Sequence, residues 1–344
     1  MKILKIICLY LALSIQVLFA AVELTGSGAT FPYPLYSKMF FEYNKLNNVK
    51  VNFQATGSGA GIKQLRQGII DFAATDAFIS DYISKRIFQD KEIIHVPICV
   101  GAVSIVVNLP GIKTINLNSE ILSKIYRGQI LKWSDEEIKR INNNLDIPDI
   151  PIIPIRRADS SGTTFIFTEF LSKTDAPWKN LVGRGKTVKW STGIAGKGNA
   201  GLALLVNQIP GAIGYVSSIY AIQNELKAAS VQNGSGNYIS PTLTSISNAT
   251  NSTTIPEDTR VSLTNPDAKN AYPICGLTWI LIYEDQNYNN RTYSQAKETT
   301  QLIKWMINDG QEYAKALNYS PLTQSIIKKA ETNLKKVHYN GKPL

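Results

Sequence analysis

Short runs of apolar, mostly β-branched residues alternate along this chain with stretches in which apolar positions recur every three or four residues. Residues 49–53 and 72–75 have the length and composition of strands, and residues 62–67 between them have helical spacing. Residues 93–108 form a run rich in Val and Ile that is longer than one ordinary strand. Residues 152–156, 212–216 and 277–283 read as further strands. A helix is expected after Ser161, and amphipathic helices over residues 299–308 and 323–336. Strands alternating with helices predict an α/β fold with largely parallel sheets. Residues 234–257, rich in Ser, Thr, Asn and Gly, predict a surface loop or insertion.

The opening MKILKIICLYLALSIQVLFA stands apart from this alternation. A short basic start, an apolar run and a small residue at its end form the pattern of a secretory signal peptide, with cleavage expected after Ala20. Cys8 lies too early in the run to carry a lipid, which predicts export without a lipid anchor. Removing twenty residues from 344 leaves 324, enough for two lobes. The formal charge of +10 falls to +8 with the loss of Lys2 and Lys5. The remaining lysines are scattered without a five-residue basic run, so the charge suggests mild attraction for small anions and argues against nucleic acid. Cys99 and Cys275 are left in the exported chain; pairing and two buried thiols are both open from the sequence.

The candidate chemistry sits where strands are predicted to run into helices. TGSGATFPYPLY (25–36) places Thr30 and Phe31 just before Pro32, a residue suited to a first helical turn. QATGSGAGIKQL (54–65) sets Ser58 between two glycines, and RRADSSGTTF (156–165) carries Ser161, Gly162 and Thr163 behind two arginines. First-turn N–H groups have no partner inside the helix and carry partial positive charge, so such ends attract oxyanions. An ordinary N-cap is the alternative for each segment taken alone.

Arg157 can offer a planar fork of donors to a tetrahedral oxyanion, with Asp159 holding the fork in place; a surface ion pair is the other reading. Asp76, in DFAATDAFIS, points to discrimination, because an ionised carboxylate only accepts hydrogen bonds. Facing a ligand, it would favour phosphate, which keeps a proton at neutral pH, over fully ionised sulfate. A strand-end cap is its competing role. GKGNAG (196–201) fits a dinucleotide fingerprint but follows no clear strand and lacks a placed acidic partner. GRGKT (183–187) lacks the earlier glycine of a phosphate-binding loop, and no serine has the glycine spacing of a nucleophile elbow. The two histidines, His95 and His338, offer neither a metal cluster nor a triad by spacing. These observations predict a binding protein that is not an enzyme, with no cofactor and no metal.

Taken together, LTGSGATFPYPLY, VNFQATGSGAGIKQL, DFAATDAFIS, RRADSSGTTFIFT, GKGNAG, IPGAIGYV and the terminal GKPL resemble the periplasmic phosphate-binding proteins of bacterial phosphate ABC transporters, over nearly all of the exported length. The resemblance implies a two-lobed periplasmic binding protein of type II. Each lobe would hold a central, mostly parallel sheet flanked by helices, and two strands would cross between them. Lobe I would take residues 21–98 plus 275–344, and lobe II residues 99–274. Inorganic phosphate would be held without metal by Thr30, the Phe31 backbone N–H, Ser58 and Asp76 from one lobe, and by Arg157, Ser161, Gly162 and Thr163 from the other. Asp159 would be the arginine's partner. A monomer in the periplasm, passing phosphate to an inner-membrane permease with ATPase subunits, is the implied setting.

Other oxyanion receptors and a secreted phosphate-ester hydrolase are the alternatives, with a surface interaction protein acting through residues 234–257 as a third. Two departures from the family pattern are visible. Gly59-Ala60 stands where the family commonly has Ser-Gly, predicting a changed hydrogen bond, and Ser160 replaces a frequent glycine, predicting a stiffer turn. Both cysteines fall near the implied crossings, where a disulfide would brace the hinge.

Overall fold

The computed structural model describes residues 22–89 and 91–344. The signal peptide expected over residues 1–20 lies outside the described residues. No helix among the described residues is long and apolar enough to cross a membrane.

The first half of the fold opens with β1 (Val22–Gly28), α1 (Tyr33–Asn47), β2 (Val49–Gln54), α2 (Ser58–Arg66) and β3 (Phe72–Thr75). β1 pairs in parallel with both β2 and β3, which strand–helix–strand connections allow. The long apolar run is one uninterrupted strand, β4 (Ile93–Val107), of 15 residues, all but the first of them buried. The second half supplies β5 (Ile153–Arg157), α3 (Gly162–Thr174), β6 (Ile194–Gly196), α4 (Gly198–Gln208) and β7 (Ala212–Ser217). Then follow α5 (Leu243–Asn251) and β8 (Cys275–Tyr283), with two C-terminal helices, α6 (Tyr293–Ile307) and α7 (Gln324–Leu334), returning to the first half.

The principal sheet has the order β2-β1-β3-β8-β4-β7-β5-β6. β4 explains how two sets of strands become one. Its residues Ile93 to Ala102 pair antiparallel with β8, and Val103 to Val107 pair antiparallel with β7. β8 in turn lies antiparallel against β3. Within this sheet the outer strands of each half are parallel, as expected from the sequence, and every antiparallel pairing involves β4 or β8. Pleated strands covered on both faces explain why β4 and β8 read as continuous apolar runs without alternation.

Two expectations are corrected. Residues 234–257 are not a plain loop: they contain α5, whose N-cap Thr242 and Ser245 form a reciprocal capping box. Ile246 and Ala249 on α5 are fully buried. The cysteines do not brace a hinge: both are free and buried. Cys99 lies opposite Thr278 and Cys275 opposite Ala102, an offset of three residues along one antiparallel pair. An odd offset puts the two side chains on opposite faces of the sheet, roughly 10 Å apart along the strand, beyond disulfide reach.

Candidate anion-binding site

Parallel strands deliver their C-terminal ends, and the helix N-termini that follow them, to one side of a sheet. In the first half this places three segments together: Thr30 and Phe31 after β1, Ser58 at the start of α2, and Asp76 just past β3. Gly57 makes the turn into α2 with φ at 97°, a conformation that glycine adopts without strain. In the second half the ends of β5 and β6 deliver Arg157 and the N-termini of α3 and α4.

Arg157 is buried, and its guanidinium is held as a fork. Nε donates to Asp159 Oδ1 at 2.8 Å, Nη2 donates to Asp159 Oδ2, and Nη1 donates to Thr163 Oγ1 at 3.3 Å. Asp159 Oδ1 also accepts from the Gly198 N–H at 3.0 Å. Burial alone would raise the Asp159 carboxyl; the Arg157 fork outweighs it and holds the pKa below the usual carboxylate value. The Arg157 N–H is anchored on the Tyr215 hydroxyl at 3.1 Å, and that hydroxyl also meets Thr164 Oγ1 at 2.9 Å. Ser161 is the N-cap of α3: its Oγ accepts from the Thr164 N–H at 3.1 Å.

Asp76 is 3% exposed. Its Oδ1 accepts from Thr278 Oγ1 at 2.8 Å, while its buried Oδ2 has no hydrogen-bond partner. Burial pushes the carboxyl up to about 7, against the lowering pull of Thr278 and Arg157. Ser58 Oγ accepts weakly from the Asp76 N–H at 3.4 Å. A side chain on Gly162 would meet Asp76 Oδ2 at 2.5 Å and Ser58 Oγ at 2.6 Å, so the mouth of α3 presses directly on the first half. Across the same seam the Gly59 N–H donates to the Ser160 carbonyl at 3.0 Å. Thr30, Ser58, Asp76, Arg157, Gly162 and Thr163 therefore surround one region, with Ser161 capping behind it. Phe31 buries its ring edge-on to Tyr319 and gives its carbonyl to the Tyr319 hydroxyl, so its remaining offer is the backbone N–H.

Sequence reasoning missed four contributors. Thr278 steadies Asp76, Tyr215 anchors Arg157, the Tyr220 hydroxyl donates to the Thr30 carbonyl at 2.8 Å, and Asn199 touches both threonines. Asn199 lies inside GKGNAG, whose first-turn position on α4 carries no local signal for such a role. His95 is a satisfied core residue: it is buried, and its Nε2 accepts from the Ile79 N–H at 3.1 Å. Burial holds it neutral, with a pKa pushed down to about 3. Among the described residues no three His, Cys, Asp or Glu side chains gather to hold a metal ion.

A family model described as the PBP superfamily domain matches residues 19–310. The phosphate-binding protein PstS of Haemophilus influenzae is 38% identical over 315 residues, covering 89% of this chain and 91% of that protein. PstS of Methanocaldococcus jannaschii is 35% identical, over 85% of this chain and 80% of its own. Among solved structures, the ancestral soluble variant of the Human Phosphate Binding Protein superposes with a TM-score of 0.74 at 20% identity, covering 94% and 99% of the two chains. The phosphate-binding protein of Stenotrophomonas maltophilia gives 0.70 at 19% identity, covering 91% and 94%. At that identity the two structures speak for the fold, while the curated relatives place the sequence. The chain belongs to the PBP superfamily and, within it, to the PstS family of phosphate-binding proteins.

Proposed function

We propose that this protein captures inorganic phosphate in the periplasm and delivers it to the permease of an inner-membrane ABC transporter. The halves that close on the ion are residues 21–98 plus 275–344 and residues 99–274. Thr30, the Phe31 N–H, Ser58, Arg157, Ser161 and the N–H groups of Gly162 and Thr163 act as donors to its oxygens. Asp76 accepts the ion's proton. The protein acts as a monomeric carrier, exported by a cleavable leader without a lipid anchor, and performs no catalysis. The same ion touching both halves stabilises the closed arrangement.

One observation carries the reading: a buried carboxylate oxygen without a partner, Asp76 Oδ2, faces the Arg157 region and the mouth of α3. A buried acceptor among donors suits a tetrahedral anion that brings one proton of its own. Sulfate would set two acceptors against each other with no hydrogen between them. The names of these curated relatives, PstS phosphate-binding proteins, point the same way.

Titration calorimetry on phosphate-stripped protein tests the proposal with phosphate, arsenate and sulfate. Phosphate is expected to bind tightly and sulfate not measurably. Arg157→Ala is expected to weaken phosphate binding by at least about 100-fold, since charge-assisted hydrogen bonds contribute about 1.5–3 kcal/mol each. Its neighbour Arg156, on the opposite face of β5, should change affinity by less than about threefold when cut to alanine. Asp76→Asn should admit sulfate; continued exclusion would refute the proton-matching role of that carboxylate.

A further inference from the structure

We infer that Asn199 is a positioning residue that turns two threonine hydroxyls, one from each half, into pure donors for the anion. The inference rests on the phosphate reading above and adds a residue and a mechanism to it. Asn199 is fully buried. Its Oδ1 accepts from the Ser217 N–H at 2.8 Å, a group that can only donate, so the amide has one possible orientation. Nδ2 then points at the two threonines, 2.8 Å from Thr30 Oγ1 and 3.1 Å from Thr163 Oγ1.

A hydroxyl has two acceptor lone pairs and one proton. Thr30 Oγ1 accepts a second time from the Asn199 backbone N–H at 3.2 Å, and Thr163 Oγ1 accepts a second time from Arg157 Nη1 at 3.3 Å. Both oxygens are thereby saturated as acceptors. The capacity left to each is its own proton, and among the described residues neither hydroxyl donates to a protein acceptor. Two protons are left for an anion's oxygens.

The arrangement has a consequence for ligand orientation. Saturated hydroxyls cannot take a proton from the ligand, so the proton that phosphate carries is directed toward Asp76. Asn199 also meets Thr30 across the seam, 169 residues away in sequence. The first hydroxyl is therefore committed to donation only when the halves are together. Binding polarity and closure are linked through one amide.

Calorimetric phosphate titration of the exported chain, its Asn199→Asp and Thr163→Val variants and the double variant tests this. Asn199→Asp keeps the shape and the acceptor for Ser217, but presents acceptors to the two threonines, which then surrender their protons to it. Affinity should fall by about 100-fold or more. Added negative charge would itself weaken binding, and it does so equally whether or not the hydroxyl at position 163 is present. The part due to the hydroxyl is therefore read from the cycle: the Asn199→Asp loss should be at least about fivefold smaller in the Thr163→Val background. Asn199→Leu, uncharged and similar in size, should cost between about 10- and 100-fold. Thermal melting of the ligand-free variants checks that each is folded. Equal losses in both backgrounds, or Asn199→Asp and Asn199→Leu each within about threefold of the parent, would overturn the inference while leaving the phosphate reading intact. Absence of phosphate binding by the parent protein would overturn both.

Discussion

Gly59 and Ser160 face each other across the seam. A side-chain carbon added to Gly59 would collide with both Cβ and Oγ of Ser160. Gly59, with Ala60, and Ser160 are the expected departures from the family pattern, and nothing in the sequence links them. The structure makes them one contact, in which a single serine side chain reaches over a bare glycine from the opposite half. Gly59→Ser is expected to weaken phosphate binding about tenfold by obstructing closure, and Gly59→Ser with Ser160→Gly is expected to restore it, both by calorimetry. Asp76 yields a second residue-scale prediction. Its carboxyl is raised from an ordinary value of about 3.9 to about 7 in the folded, ligand-free protein. A raised folded pKa favours the protonated form, so its contribution is fully present below about pH 4 and is lost as pH rises through about 7. Asp76→Asn should flatten that part of the stability profile, measured by urea unfolding at about pH 4, 5.5 and 7 without phosphate. Ser58, Arg157 and Ser161 were legible because helix-mouth chemistry is written in adjacent residues. Asn199 was not, because its partners stand 169 and 36 residues away.

Elements were read best where the apolar period was long. β3 and β7 fall within a residue of their expected bounds, and the helix after Ser161 starts where it was expected. α5 escaped because its polar composition matches a loop, and only two fully buried apolar residues, Ile246 and Ala249, mark its inner face. A capping box and a short buried stripe form the helix where composition argued otherwise. Ile246→Ala is expected to destabilise the protein by about 2–4 kcal/mol in urea unfolding, with phosphate affinity in the folded protein unchanged. The two long apolar runs form the paired strands β4 and β8, but the register between them cannot be read from either strand alone, and the register is what separates the cysteines. Thiol titration of residues 21–344, denatured without reductant, should find two thiols; fewer would mean that Cys99 and Cys275 pair after all.

At the scale of the molecule, the alternation of strands and helices was enough to specify α/β layers with parallel outer strands. The antiparallel joint between β8 and β4 was not visible, because it depends on which distant segments meet. Closure can be tested at this scale through Gly162, where the mouth of α3 has no room for a methyl group against Asp76 and Ser58. Phosphate is expected to lower the radius of gyration of the parent protein in small-angle X-ray scattering. Gly162→Ala should abolish that compaction and reduce the thermal stabilisation by phosphate, which follows the ligand's occupancy of the folded form.

The continuity of β4 also bears on engineering by recombination. Exchanging residues 99–274 between relatives, to move one half of a sensor onto another, would place one joint inside a buried strand, between Ile98 at an irregularity in the register and Cys99, which pairs with Thr278. The other joint would fall at the first residue of β8, opposite that same strand. Such hybrids would inherit a mismatched backbone ladder at both cuts, so useful chimeras of this scaffold are to be sought by exchanging the strand-to-helix turns instead.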